Sequence, residues 1–182
     1  QAPPEFVLAV GRHPVFSELV ELRIVASEEL RADPTVAIDA VAQEVEVLKD
    51  GTYRVNFAHP PSQQGERLVD IKVAGFDWGG NEGERSLMVV LQWMDGMGGN
   101  VRSPDPQLML NVTDRAARPG QLAILYSLGE DELPPDSEGG PVYAVDLLRG
   151  RKLDEPVTLN FFPSANADPG LGILRWDKNN DT

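Results

Sequence analysis

The stretch Glu44-Val-Glu-Val-Leu-Lys-Asp-Gly-Thr-Tyr-Arg-Val-Asn-Phe57 decides the fold class. Val45 and Val47 alternate with Glu44 and Glu46, and Tyr53, Val55 and Phe57 alternate with Thr52, Arg54 and Asn56. A period of two puts the apolar set on one side of an extended strand. Between the two runs stands Asp50-Gly51, a dipeptide suited to the positive φ angles of a tight hairpin turn. The stretch therefore predicts two antiparallel strands, each with one buried and one wet face. The same rhythm continues outward. Upstream lie Val20, Leu22 and Ile24, then Val36, Ile38 and Ala40. Downstream follow Val69, Ile71 and Val73, then Leu87, Val89, Leu91 and Trp93, Leu108, Leu110 and Val112, and Leu122, Ile124 and Tyr126. Val142–Leu147, Val157–Phe161 and Leu171–Trp176 supply the remaining strands. Helix formers are confined to Ser27–Ala32, ended by Asp33-Pro34, and Asp114–Arg118, closed by Pro119-Gly120, so both read as short turns. The expected fold class is all-β, arranged as two tandem antiparallel β-sandwiches.

Composition narrows the chemistry. The 182 residues carry 16 Lys plus Arg against 29 Asp plus Glu, a formal net charge of -13. A field of that sign argues against gripping a nucleic-acid backbone. With no cysteine and two histidines, disulfide scaffolds, thiolate metal sites and Cys nucleophiles are excluded. No apolar run reaches the length of a membrane-spanning helix, about 20 residues. Dense glycine and proline at Asp95–Asn100 and Ser103–Pro106 predict a linker or wide loop over residues 94–106, between a domain at 1–93 and a second at 107–182. The charge is spread almost evenly over the two parts, which reads as a solvating exterior. A chain starting at Gln1 without Met is expected to be a piece of a longer precursor, its second domain cut short.

The first part resembles the immunoglobulin-like domains of bacterial secreted and surface proteins. Phe6-Val-Leu-Ala-Val10, His13-Pro-Val-Phe16, Ile24-Val-Ala-Ser-Glu-Glu-Leu30, Asp33-Pro-Thr-Val36 and Val73-Ala-Gly-Phe-Asp-Trp-Gly-Gly-Asn81 carry the likeness, in order, over residues 5 to 90. The second part is similar to a ZU5-like β domain through Val142-Tyr-Ala-Val-Asp146, Pro156-Val-Thr-Leu-Asn-Phe161 and Leu171-Gly-Ile-Leu-Arg-Trp-Asp177. The resemblance implies an exported, non-catalytic tandem module at the bacterial cell surface or outside the cell.

Candidate sites are sparse. Trp78 sits in the Asp77–Asn81 turn with no buried phase, unlike Trp93 and Trp176, and is the residue expected to contact a glycan or other ligand. Asp177, Asn179 and Asp181 repeat the first ligands of a calcium loop, but calcium needs roughly six to eight oxygens and Thr182 ends the series. Calcium is therefore a weakly founded cofactor, and the turn reading competes with it. Glu130, Asp131, Glu132, Asp136 and Glu138 could also gather calcium from an acidic loop. His13 and His59 each precede proline and read first as turn elements, second as ligands. Carboxylate pairs such as Glu28-Glu29 and Asp131-Glu132 leave a β-sandwich hydrolase open without selecting a pair. Asn111 and Asn180 match glycosylation sequons. The leading expectation is a structural or interaction module that binds no nucleic acid and acts as a spacer or as an adhesion or partner-binding domain, with a protein or glycan at the cell surface as the partner class. A ligand-binding module and a hydrolase are the alternatives.

Overall fold

The computed structural model describes residues 2–63, 65–114, 116, 120–128, 142–146 and 157–162. Among them there is no helix, and thirteen strands form three antiparallel sheets. The predicted hairpin is present, but its first strand is short and lacks the expected buried face: Val47 is exposed and only Val45, just before it, packs partly on the core. β5 (Glu46–Val47) pairs with β6 (Tyr53–Ala58), closed by Gly51 at φ 80° and by Asp50, whose carboxylate accepts the Thr52 amide at 3.1 Å. β1 (Phe6–Arg12) and β2 (Leu19–Ala26) complete the first sheet in the order β1-β2-β6-β5.

The second sheet has six strands. β3 (Thr35–Ile38), β4 (Val41–Gln43), β7 (Glu66–Phe76), β8 (Glu82–Met94), β11 (Gln121–Leu128) and β12 (Val142–Asp146) take the order β12-β11-β8-β7-β3-β4. β9 (Gly99–Arg102), β10 (Leu108–Val112) and β13 (Thr158–Phe161) form the third, ordered β13-β10-β9.

Two cores explain the stacking. Leu8, Val20, Leu22, Ile24, Val55 and Phe57 of the first sheet meet Val69, Ile71, Val89, Leu91, Ile124 and Tyr126 of the second. The opposite face of the second sheet contributes Val90, Met94, Ala123 and Leu125, which pack with Val101, Leu108, Leu110 and Val112 of the third. β8 from Val89 onward and β11 are thus apolar on both faces, as strands covered on both sides must be, while Glu82, Glu84, Ser86 and Met88 of β8 remain exposed. Tyr126 ties the layers further, its hydroxyl accepting the Val10 amide at 3.1 Å.

This pairing differs from the expected division of the chain. Residues 94–106, expected from their glycines and prolines to be a linker or wide loop between two sandwiches, contain β9. β8 and β11, on either side of the segment, are neighbours from Gln121↔Met94 to Tyr126↔Val89. The physical reason is the second apolar face at the end of β8, Val90 and Met94, which Val101, Leu108, Leu110 and Val112 cover. A smaller difference lies at Ala40. The strand alternation ends at Ile38, and Asp39 and Ala40 turn the chain with φ of 51° and 63°.

Candidate functional site

Trp78 projects from the turn joining β7 to β8 and is 67% exposed, with Phe76, two residues earlier, also exposed. The turn itself is rigidly held. Asp77 is fully buried; its carboxylate accepts the Asn81 backbone amide and the Asn81 side-chain amide, both at 2.8 Å. Its own amide donates to the Asn81 carbonyl at 3.1 Å, and Gly80 donates back to the Asp77 carbonyl at 3.2 Å. Asp77 also bridges to Leu30, pinning the turn to the segment after β2. Glycine suits both turn positions. A Cβ at Gly79 would stand 3.1 Å from Asp77 Oδ1, and Gly80 has φ of 83°. The Asn81 side-chain bond, helped by the amides of Gly79, Gly80 and Asn81 against the effect of burial, holds the Asp77 carboxyl below the ordinary carboxylate range. The turn therefore presents one large aromatic on a fixed base.

The other predicted residues are dispersed. Trp93 is buried, as its strand phase requires, and its indole N–H donates to the His59 carbonyl at 3.1 Å. His13 is a turn element: its Nδ1 accepts the Val15 amide at 3.2 Å and the Phe16 amide at 3.1 Å. Asn111 lies inside β10, bonded into the ladder between β9 and β13, a poor place for a glycan that needs an open loop. Trp176, Asp177, Asn179, Asn180 and Asp181 lie outside the described residues, as do Glu130, Asp131, Glu132, Asp136 and Glu138. Among the described residues no group of three or more His, Asp or Glu is placed to hold a metal ion.

Two polar clusters escaped the sequence reading. On the outer face of the first sheet, buried Glu21 binds Arg23 at 2.8 Å and faces Arg54 at 3.6 Å, while Arg54 also grips Glu46 at 2.7 Å. A groove of about 460 Å³ beside them is lined by Glu44, Val45, Glu46, Arg54 and Asn56. The two carboxylates share a guanidinium, an arrangement that braces strands. The register Glu21↔Asn56 and Arg23↔Arg54 was the signal, but it requires knowing that β2 pairs with β6. In the second cluster, Asp105 accepts hydrogen bonds from the hydroxyls of Ser103 and Tyr143, both at 2.5 Å, joining the β9–β10 loop to β12. Burial, then the bond to Asp105 and its charge, push the Tyr143 hydroxyl above the ordinary tyrosine range.

Compared with known proteins, the chain matches no family model, no curated protein and no solved structure.

Proposed function

We propose that the chain is a non-catalytic interaction module of an exported bacterial surface or secreted protein, with the Trp78 turn as its contact element. The observation that carries this reading is a tryptophan left 67% exposed on a turn that buries and fully bonds its neighbour Asp77. An exposed large aromatic on a rigid base loses little entropy on contact. A tryptophan side chain brings roughly 150–250 Å² to an interface. At about 25 cal/mol per Å², covering two-thirds of it contributes roughly 3 kcal/mol before other costs. The acidic exterior keeps such modules soluble and mutually repulsive. The likeness of the first part to immunoglobulin-like domains, and of the second to ZU5-like ones, supports the surface setting.

A second reading rests on the same residue. A flat, exposed indole suits the face of a sugar ring, so a glycan is the ligand class to screen first. The test is a glycan array probed with the wild type and with Trp78→Ala, beside pull-downs of cell-surface proteins. Binding abolished by Trp78→Ala supports the contact role. Binding that survives the substitution refutes it. Turnover in glycoside or ester panels, lost on changing one carboxylate, would replace the module by a hydrolase.

A further inference from the structure

His59 follows β6 and is fully buried. Its ring lies 5.9 Å from that of Trp93, tilted by 15°, and Trp93 in turn donates to the His59 carbonyl. His59 Nδ1 is 3.2 Å from Gln63 Oε1, and Arg67 Nη1 reaches the same oxygen at 3.3 Å. Arginine can only donate, so Gln63 Oε1 is an acceptor and His59 Nδ1 carries the proton it shares. In the neutral ring the lone pair then sits on Nε2, which is buried and has no hydrogen-bond partner among the described residues.

The charges around this ring come from several elements. Arg67 of β7 also binds the Ala58 carbonyl at 3.3 Å and Asp39 Oδ2 at 2.8 Å. Arg12 of β1 stands 5.9 Å from the Trp93 ring centre. The His59 amide donates to the carbonyl of Glu18, ahead of β2, at 2.8 Å. Among the described residues the carboxylate bonded into the cluster is Asp39, already engaged by Arg67 and by the Asp70 amide. A second ring proton would therefore sit on a buried nitrogen without an acceptor, close to a guanidinium. Five parts of the first core meet here: the ends of β1, β6 and β8, the start of β7 and the β3–β4 turn.

We propose that His59 is an acid-sensitive latch, whose neutral ring holds this end of the first core closed on Trp93 and whose protonation releases it. The direction of its titration agrees: burial, opposed by the Gln63 bond and reinforced by the Arg67 charge, pushes the His59 imidazole below the ordinary histidine range. The sign follows. Because the folded state resists the proton that the unfolded chain accepts near pH 6.5, the stabilisation is complete above that pH and is lost as pH falls below it.

The experiment is chemical denaturation of wild type, His59→Phe and His59→Gln at pH 7.5 and 5.5. The carboxylates and His13 are common to all three proteins, so the difference isolates His59. If only the unfolded chain binds the proton, the wild-type folding equilibrium constant falls by up to about tenfold more than that of either variant. Equal losses in wild type and variants would overturn the proposal. Should neither variant fold, the His59 side-chain resonance of the wild type decides. A ring that titrates below about pH 6.5 in the folded protein supports the latch, and one that titrates at or above that pH refutes it.

Discussion

Leu125→Ala tests whether the central sheet has two buried faces. Leu125 is fully buried against the third sheet, while its neighbour Ile124 is equally buried against the first. In a plain two-layer sandwich, one of two adjacent strand residues must face water. Removing three carbons from Leu125 forfeits roughly 2.4 kcal/mol of transfer free energy at about 0.8 kcal/mol per methylene. A cavity that cannot collapse raises the total to about 2–5 kcal/mol. With a urea slope of roughly 2 kcal/mol per molar, the midpoint should fall by about 1 to 2.5 M, and Ile124→Ala should do the same. Val90 stands directly opposite Leu125 on β8. Val90→Ala should therefore couple to Leu125→Ala by roughly 0.5 kcal/mol or more in a double-mutant cycle. A Leu125→Ala cost below about 0.5 kcal/mol, the scale of a surface change, would refute the second core.

Further expectations concern single positions. Trp78→Ala should leave the urea midpoint unchanged, because the turn is held by Asp77 and Asn81 and not by the indole; a large loss would show Trp78 to be structural. Ala40→Gly should raise stability by about 1 kcal/mol, since Ala40 is exposed at φ 63° and glycine adopts that angle without a Cβ clash; a loss in thermal or urea melts would count against the turn. Gly98→Ala should cost roughly 1–3 kcal/mol, because φ is 81° and the added Cβ would meet the Val112 carbonyl oxygen at 2.5 Å. Tyr143 has a raised pKa in the folded state, so its contribution is present below pH 10 and is lost as pH rises above it; Tyr143→Phe should flatten the loss of stability between pH 9 and 11.

Much of the first core could be read directly from the sequence. Val55 and Phe57, Val69, Ile71 and Val73, and Leu22 and Ile24 alternate with polar residues and are buried. Asp50-Gly51 marks its hairpin because the turn chemistry is local. The architecture beyond that was written in a different signal. Val89-Val90-Leu91 and Leu122-Ala-Ile-Leu-Tyr126 are continuous apolar runs, and counting every second residue hid their other face. Such runs mark strands buried on both sides, which points to a third layer before any pairing is known. β9 was obscured because Gly98, Gly99 and the prolines that follow punctuate it as a loop. The Trp78 turn was legible, since Asp77, Gly79, Gly80 and Asn81 are the residues such a turn demands. The His59 and Glu21 clusters were not, because their members lie in segments whose adjacency depends on the sheet register.

The most direct test of the shared central sheet is the pattern of backbone nuclear Overhauser effects between β8 and β11 in isotope-labelled protein. The register predicts contacts between Val90 and Leu125 and between Gln92 and Ala123, with continuity from Met94–Gln121 to Val89–Tyr126. Absence of every such contact, with β11 pairing instead only among residues beyond 106, would contradict the account and restore two separate sandwiches.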